Sequence, residues 1–364
     1  MAQVRHMFSS LKSDTYCQEA EQRAPHYVEA WLERYPESKP AVRDFEDWAE
    51  NATYLVAAKD LGIDLVDAER PSGAFVSASR RSIMESQEGP PGFFYTGISD
   101  AVAIQEIKPP TRLLLQRHAD LEASMEYYRT PEFVELAGRD LHPAFAEPSE
   151  INRIVRDMIP GEGEFFMKTI DKQFAGKVQI EAGVEPWDAI CQRFEGIEWD
   201  PITKEGDRLP AYLIQPAFEP SFEYRLFMVD GKVATSAGCV ELFTPIDNEK
   251  PFDAKMERIR NGGELLMADK LVEQFVERAN QFGADWKDKG TSPRVYGLDL
   301  CVDAKTNEIR GIEINPAMNL GRYASDTHAY MRSVDTMLHK VLEQEQAREA
   351  SLARAARERD QIGI

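Results

Sequence analysis

Basic residues are in short supply: 43 lysines and arginines stand against 63 aspartates and glutamates, a formal net charge of −20. That balance repels polyanions, which argues against nonspecific binding to nucleic acid or anionic membranes and leaves positive charge for an anionic ligand to be confined to a cleft. Cysteine is scarce too. Cys17, Cys191, Cys239 and Cys301 are scattered without metal-ligand spacing, so reduced thiols are expected rather than a zinc site or a disulfide framework. No run approaches the roughly 20 apolar residues needed to span a bilayer, and the N-terminus lacks the hydrophobic region of a signal peptide, so a cytoplasmic location is expected. The six histidines are dispersed, with neither a Gly-x-Ser-x-Gly elbow nor a Cys/His signature, which speaks against a covalent protein nucleophile. One absence is local: residues 109 to 167 contain no lysine.

A chain of 364 residues with 43% hydrophobic content can bury one or more cores, and its length suggests two or three structural units. In the first 150 residues, Tyr27, Ala30, Trp31 and Tyr35, then Val42, Phe45, Ala49, Ala52 and Val56, recur at helical spacing, and β-like runs follow at 74–77, 92–97 and 102–107. Residues 85–92 read as an exposed loop, and no catalytic motif stands out. Near the other end, Tyr330, Val334, Met337, Leu338, Val341 and Leu342 make one apolar helix face. Residues 343–360 continue with helix formers and charges of both signs, which predicts a solvated helix.

The chemistry concentrates between these ends. Tyr296-Gly297-Leu298-Asp299-Leu300 and Gly311-Ile312-Glu313-Ile314-Asn315-Pro316 read as two strands around the turn-forming residues 303–308. A hairpin centred near residue 306 places Asp299 opposite Glu313, and Asn315 leaves the same face because strand side chains repeat every second residue. Two unpaired carboxylates on one face repel each other, and a hard cation such as Mg²⁺ removes that cost. An amphipathic hairpin with its polar face in solvent would show the same alternation.

Upstream, Lys168 interrupts the apolar run 164–170 and needs an anionic partner, for which either a phosphate or a carboxylate would serve. Lys172 follows, and Gly176 permits close backbone approach. Residues 212–219 form another apolar run, and Phe222 to Ala234 reads as a hairpin with an Asp230-Gly231 turn that puts Glu223 and Arg225 on one face.

The order of a lysine strand, a hinge strand, a Glu-x-Arg hairpin, Arg260-Asn261-Gly262-Gly263, Gly-x-Asp and Glu-x-Asn resembles the ATP-grasp superfamily over roughly residues 150 to 325, in particular the branch of glutathione synthetase and the ribosomal-protein glutamate ligases. The resemblance implies an α+β fold in which two α+β subdomains clasp ATP, preceded by a helix-rich α/β N-terminal domain. It divides the chain at 1–150, 151–235 (lid and hinge), 236–342 (metal-binding) and 343–364 (tail). It implies Lys168 and Lys172 on phosphates and Gln215, Pro216, Ala217 and Phe218 beside adenine, with Glu223 also on the nucleotide. Asp299, Glu313 and Asn315 would hold Mg²⁺, for which Mn²⁺ could substitute, and Arg225, Arg260 and Asn261 would face the transferred phosphate. The family's additional upstream lysine has no counterpart, so an arginine is expected instead, from Arg129, Arg139, Arg153 and Arg156, with Arg153 the choice for its place just before the lysine strand.

The implied activity is ATP-dependent amide or peptide bond formation between a carboxylate and an amine through an acyl phosphate. The substrate would be a small molecule, amino acid or peptide, and the protein could be a homo-oligomer. A kinase using the same nucleotide site on a hydroxyl, or a noncatalytic ATP-binding assembly factor, would share these residues.

Overall fold

The computed structural model describes residues 5–8, 29, 33, 56–63, 65–67, 91–94, 126–145, 147–169, 175–195, 211–238, 260–261, 264–265, 268–290, 292–316 and 325–362. Most of the two N-terminal helices, the runs at 74–77 and 102–107, the loop tip before Pro91, and Lys172 lie outside them. Among the described residues no helix is long and apolar enough to cross a membrane.

Near the N-terminus, β1 (Arg5–Phe8) lies between β2 (Leu65–Asp67) and β3 (Pro91–Phe94) and runs parallel to both. Parallel neighbours need crossover connections, the mark of an α/β unit. Strand β3 overlaps the run expected at 92–97, whereas β1 lies outside the runs expected from the sequence.

Helix α1 (Pro131–Ala137) follows, opened by proline at its first turn and a Thr130 side-chain cap, and closed by Gly138 at φ 62°. The second sheet has the order β4 (His142–Phe145), β7 (Ala211–Pro216), β5 (Gly163–Thr169), β6 (Ala175–Ile180), with every pair antiparallel. Helices α2 (Pro148–Met158) and α3 (Pro186–Arg193) carry apolar residues at i, i+3 and i+4, and they cover one face. Ile151, Ile154, Val155, Ala189 and Ile190 there meet Phe165, Met167, Val178, Ile180 and Ile214. Strand alternation sends Lys168 to the opposite face.

The third sheet has the order β13 (Ile309–Pro316), β12 (Val295–Asp303), β8 (Pro220–Val229), β9 (Lys232–Gly238), again antiparallel throughout. The predicted Asp-Gly hairpin joins β8 to β9, with Asp230 at φ 52° and Gly231 at φ 80°, as the turns that match strand twist require. Helix α4 (Ala268–Asp288) packs Leu271, Phe275, Ala279, Phe282 and Trp286 against Leu226, Met228, Leu298 and Leu300, and Tyr224 stacks on Phe275 at 5.4 Å. Helix α5 (Thr327–Ile362) covers the other face, where Tyr330 meets Phe227 at 5.6 Å. Strand β12 is thus covered on both sides, and eight of its nine residues are buried. Along α5 the face of Tyr330, Val334, Met337, Leu338 and Val341 is buried as its spacing predicts, and beyond it the helix runs on with Leu352 60% exposed. The short strands β10 (Arg260–Asn261) and β11 (Glu264–Leu265) pair antiparallel.

Boundaries at 150 and 235 do not coincide with these sheets. Residues 142–145 pair with 211–216, and 220–238 pair in the sheet of β12, because the Glu-x-Arg hairpin extends the sheet of β12 and β13 rather than that of Lys168. Helix α1 also joins that body: Phe133, Leu136 and Ala137 share a core with Leu298 and Leu300.

At Gly283, α4 crosses the β8–β9 turn so closely that a Cβ would lie 2.4 Å from the Gly231 carbonyl oxygen and 2.8 Å from Met228 Cε. Gly283→Ala should therefore cost about 1–3 kcal/mol in a denaturant titration, while Leu352→Ala on the exposed helix should stay within about 0.5 kcal/mol of wild type.

Candidate functional site

The centre of the site is one row of residues across three strands. Asp299 on β12 pairs with Glu313 on β13 on one side and with Arg225 on β8 on the other. The Asp299–Glu313 pairing follows expectation, but by a route that simple alternation does not contain. From the turn, Val302 pairs with Ile309 and Leu300 with Gly311, a register that would set Asp299 against Ile312. The register shifts between Asp299 and Leu300, so Ile312 is an extra residue in β13. That bulge re-aims Glu313 toward the face of Asp299 while Ile314 keeps its place in the core.

The charges then pair. Arg225 donates from Nε and Nη2 to the two oxygens of Asp299, both at 2.7 Å, with the two residues 6% and 1% exposed. Asn315 Nδ2 lies 2.7 Å from Asp299 Oδ2 and 2.9 Å from Glu313 Oε1. From the second sheet, Lys168 Nζ donates to Glu313 Oε2 at 2.6 Å, across 145 residues of sequence. Tyr128, in the helical turn before α1, packs its ring 5.3 Å from the Lys168 ammonium. The two sheets therefore face each other through this cluster.

Burial raises the Asp299 carboxyl above the ordinary carboxylate range; Arg225 opposes the shift and Glu313 adds to it. Burial alone would lower the Lys168 ammonium, but Glu313 and Tyr128 outweigh it and hold the group above its usual value. The Glu223 carboxyl is pushed up to about 7, first by loss of hydration and then by Asp299 and Glu313, against the pull of Arg225 and Lys168. Its side chain reaches solvent at the rim, which screens part of this repulsion.

Among the described residues no three His, Cys, Asp or Glu side chains cluster as a self-sufficient metal cage. Mg²⁺ does not require one, since it takes one or two carboxylates and fills its shell with phosphate oxygens and water. Asp299 and Glu313 supply two carboxylates, and rotation of the Asn315 amide would turn Oδ1 to where Nδ2 now bridges them. This donor set suits a hard divalent cation.

Of the residues singled out from the sequence, Lys168, Glu223, Arg225, Asp299, Glu313 and Asn315 come together. Gln215 and Pro216 end β7, and Ala217 and Phe218 link it to β8. Arg260 and Asn261 are described only as backbone in β10, and Lys172 not at all. Arg153 does not join the cluster: it is 63% exposed on α2 and pairs with Asp157 at 3.0 Å and Glu150 at 3.9 Å, the i,i+4 and i,i−3 neighbours of a solvated helix face. Arg225, expected to face a transferred phosphate, is turned onto Asp299. Tyr128 carries no signal of its own in the sequence, being a tyrosine beside a helix start, and only the fold brings it to Lys168.

Solved structures similar to this chain include the D-alanine–D-alanine ligase of Bacillus anthracis, at 10% identity and a TM-score of 0.50 over 95% of this chain and 100% of that one. The D-cycloserine synthetase DcsG aligns at 13% identity and a TM-score of 0.46 over 93% of this chain and 100% of that one. The N5-carboxyaminoimidazole synthase of Aspergillus clavatus aligns at 12% identity and a TM-score of 0.44 over 92% of this chain and 77% of that one. No protein-family model and no curated protein matches the chain. At these identities the likeness is one of fold, and the chain has the α+β ATP-grasp fold.

Two outcomes follow from the cluster. Arg225→Leu strands a buried carboxylate and should cost about 3–5 kcal/mol in chemical denaturation, part of which Asp299→Asn in the same chain restores. Glu223 has a folded pKa above its unfolded value, so it opposes folding as pH rises from the ordinary carboxylate range through about 7. A carbon-13 NMR titration of its carboxyl should show a midpoint near 7.

Proposed function

We propose that this ATP-grasp chain is an ATP-dependent carboxylate–amine ligase working through an acyl phosphate. The observation that carries the reading is the compensated row itself, in which Asp299, Glu313 and Asn315 converge from one hairpin and Lys168 reaches them from the facing sheet. Two sheets that share a buried charge cluster suit a ligand carrying both signs, and magnesium triphosphate is such a ligand. The Bacillus anthracis protein of the same fold is by name a ligase of D-alanine with D-alanine; the proposal takes up the reaction class and not that substrate.

Mg²⁺ held by Asp299, Glu313 and Asn315 would supply Lewis-acid neutralisation of phosphate charge. Lys168, kept charged in its buried position, binds phosphate oxygens as a compact cation. Arg225 fixes Asp299 through two parallel hydrogen bonds, so the carboxylate presents one orientation. Gln215 to Phe218 take the adenine side, where the chain passes from one sheet to the other. A substrate carboxylate oxygen attacks the γ-phosphorus and the bond to the β-phosphate oxygen breaks, releasing ADP. The amine then attacks the acyl carbonyl, inorganic phosphate leaves, and the amine nitrogen gives up a proton to form the amide. Neither step calls for a protein nucleophile, in keeping with the dispersed histidines and thiols. The acid and the amine belong to the small-molecule, amino-acid or peptide class.

The test is release of ADP that depends on both a carboxylic acid and an amine, screened over amino acids and short peptides, with an amide product by mass spectrometry. Asp299→Asn and Glu313→Gln should each lower turnover by at least about 100-fold, the scale of losing charge stabilisation in the transition state, and Lys168→Met should weaken ATP binding by about 1–3 kcal/mol. A stable phosphoester product would replace the ligase by a kinase, and tight ATP binding with no turnover would leave a binding protein.

A further inference from the structure

Arg139 was one of the cations available to stand in for the missing phosphate lysine, and its hydrogen bonds point elsewhere. Nε donates to Gln215 Oε1, Nη1 to the Ala137 carbonyl and Nη2 to the Gly311 carbonyl, each at 2.9 Å. Its guanidinium lies 3.8 Å from the centre of the Phe218 ring. One planar group thus touches the end of α1, both ends of the β7–β8 connection and strand β13.

We infer that Arg139 is a positioning residue that couples the β7–β8 hinge to the carboxylate hairpin, rather than a phosphate ligand. The inference rests on the reading under Proposed function, in which the hinge takes the nucleotide base and the hairpin the cation. The geometry is specific at both ends. Gly311 immediately precedes Ile312, the extra residue that turns Glu313 toward Asp299, so the Arg139 bond grips the backbone where the register shifts. Helix α1 presses on the same spot: a Cβ on Gly311 would stand 3.1 Å from Phe133 and 3.2 Å from Leu136. At the hinge, Nε can only donate, so it fixes the Gln215 oxygen toward itself and the amide nitrogen away, while the guanidinium face holds Phe218. These named partners are neutral, and burial pushes Arg139 down to about 10. A charge is thus kept in a costly place for its shape, a rigid fork with a stacking face that lysine lacks.

Such a clamp makes occupancy at one end favour order at the other, which is a coupling free energy between two subsites. The measurement is calorimetric binding of a nonhydrolysable ATP analogue with and without Mg²⁺ to wild type, Arg139→Met and Arg139→Lys, each checked for folding by thermal melting. In wild type, Mg²⁺ should tighten binding by a factor within the roughly 5 to 150 typical of coupled sites. In both variants that factor should fall by at least about threefold, the remainder being the cation's own contact with phosphate, with metal-free affinity changed by less, because an ammonium cannot reproduce three bonds and a stack. An intact factor in a folded variant overturns the proposal, as does an equal loss of affinity with and without metal, which would make Arg139 a direct nucleotide contact. Amide hydrogen exchange without ligand is the second arm: residues 311–315 and 215–218 should both exchange faster in Arg139→Met. Unchanged exchange there overturns the clamp by itself, whereas failure of wild type to bind any nucleotide overturns the ligase reading, a separate result.

Discussion

The buried carboxylate of Asp299 sets the terms for the rest of the site. At 1% exposure it must be charge-matched, and Arg225 matches it from the adjacent strand with two short parallel bonds. The pair is costly to form and more costly to break, since either partner alone would be an uncompensated charge in the interior. Glu313, one strand over, cannot share Arg225 equally; the Nη2 to Oε1 distance is 3.9 Å. Its charge is met by Lys168 from the other sheet, so the demand for neutrality in one hairpin draws two sheets together.

That demand explains the layered architecture better than apolar packing alone does. Each sheet has its own helices on the far face, α2 and α3 on one and α4 on the other, each packed into an apolar core, and Leu213 of β7 is the residue of the lysine-bearing sheet that joins the core of α4. The facing surfaces instead carry Lys168, Gln215, Arg225, Asp299 and Asn315, all buried and polar. A polar seam between two apolar cores can exchange its internal ion pairs for pairs with a ligand at modest net cost, because the number of buried charges to be met changes little. An apolar seam could not, since opening it would forfeit its contacts outright.

Helix α1 gives the seam its reference point. It belongs by packing to the core of β12, yet the turn before it brings Tyr128 to Lys168, and the turn after it brings Arg139 to the hinge and to Gly311. The positive φ of Gly138 reverses the chain immediately before Arg139, and a Cβ there would strike the Arg310 guanidinium. A seven-residue helix therefore touches both sheets and the bulge between them.

Alternation of side chains along β13 and β8, the Asp-Gly turn of the β8–β9 hairpin and a lysine stranded in an apolar run are local properties, and the sequence alone determined that Glu313 shares a face with Asn315 and Glu223 with Arg225, and the need of Lys168 for an anion. The tertiary structure decided the rest. Counting from the turn does not reveal that Ile312 is extra, and Phe133 and Leu136, which pack on Gly311 beside it, come from far upstream. That Arg225 serves Asp299, 74 residues away, that Lys168 serves Glu313, 145 residues away, and that Tyr128 and Arg139 join them while Arg153 does not, depended on which surfaces meet across long stretches of chain. Periodicity fixes the direction of a side chain relative to its own strand; only the stacking of sheets fixes what stands opposite it.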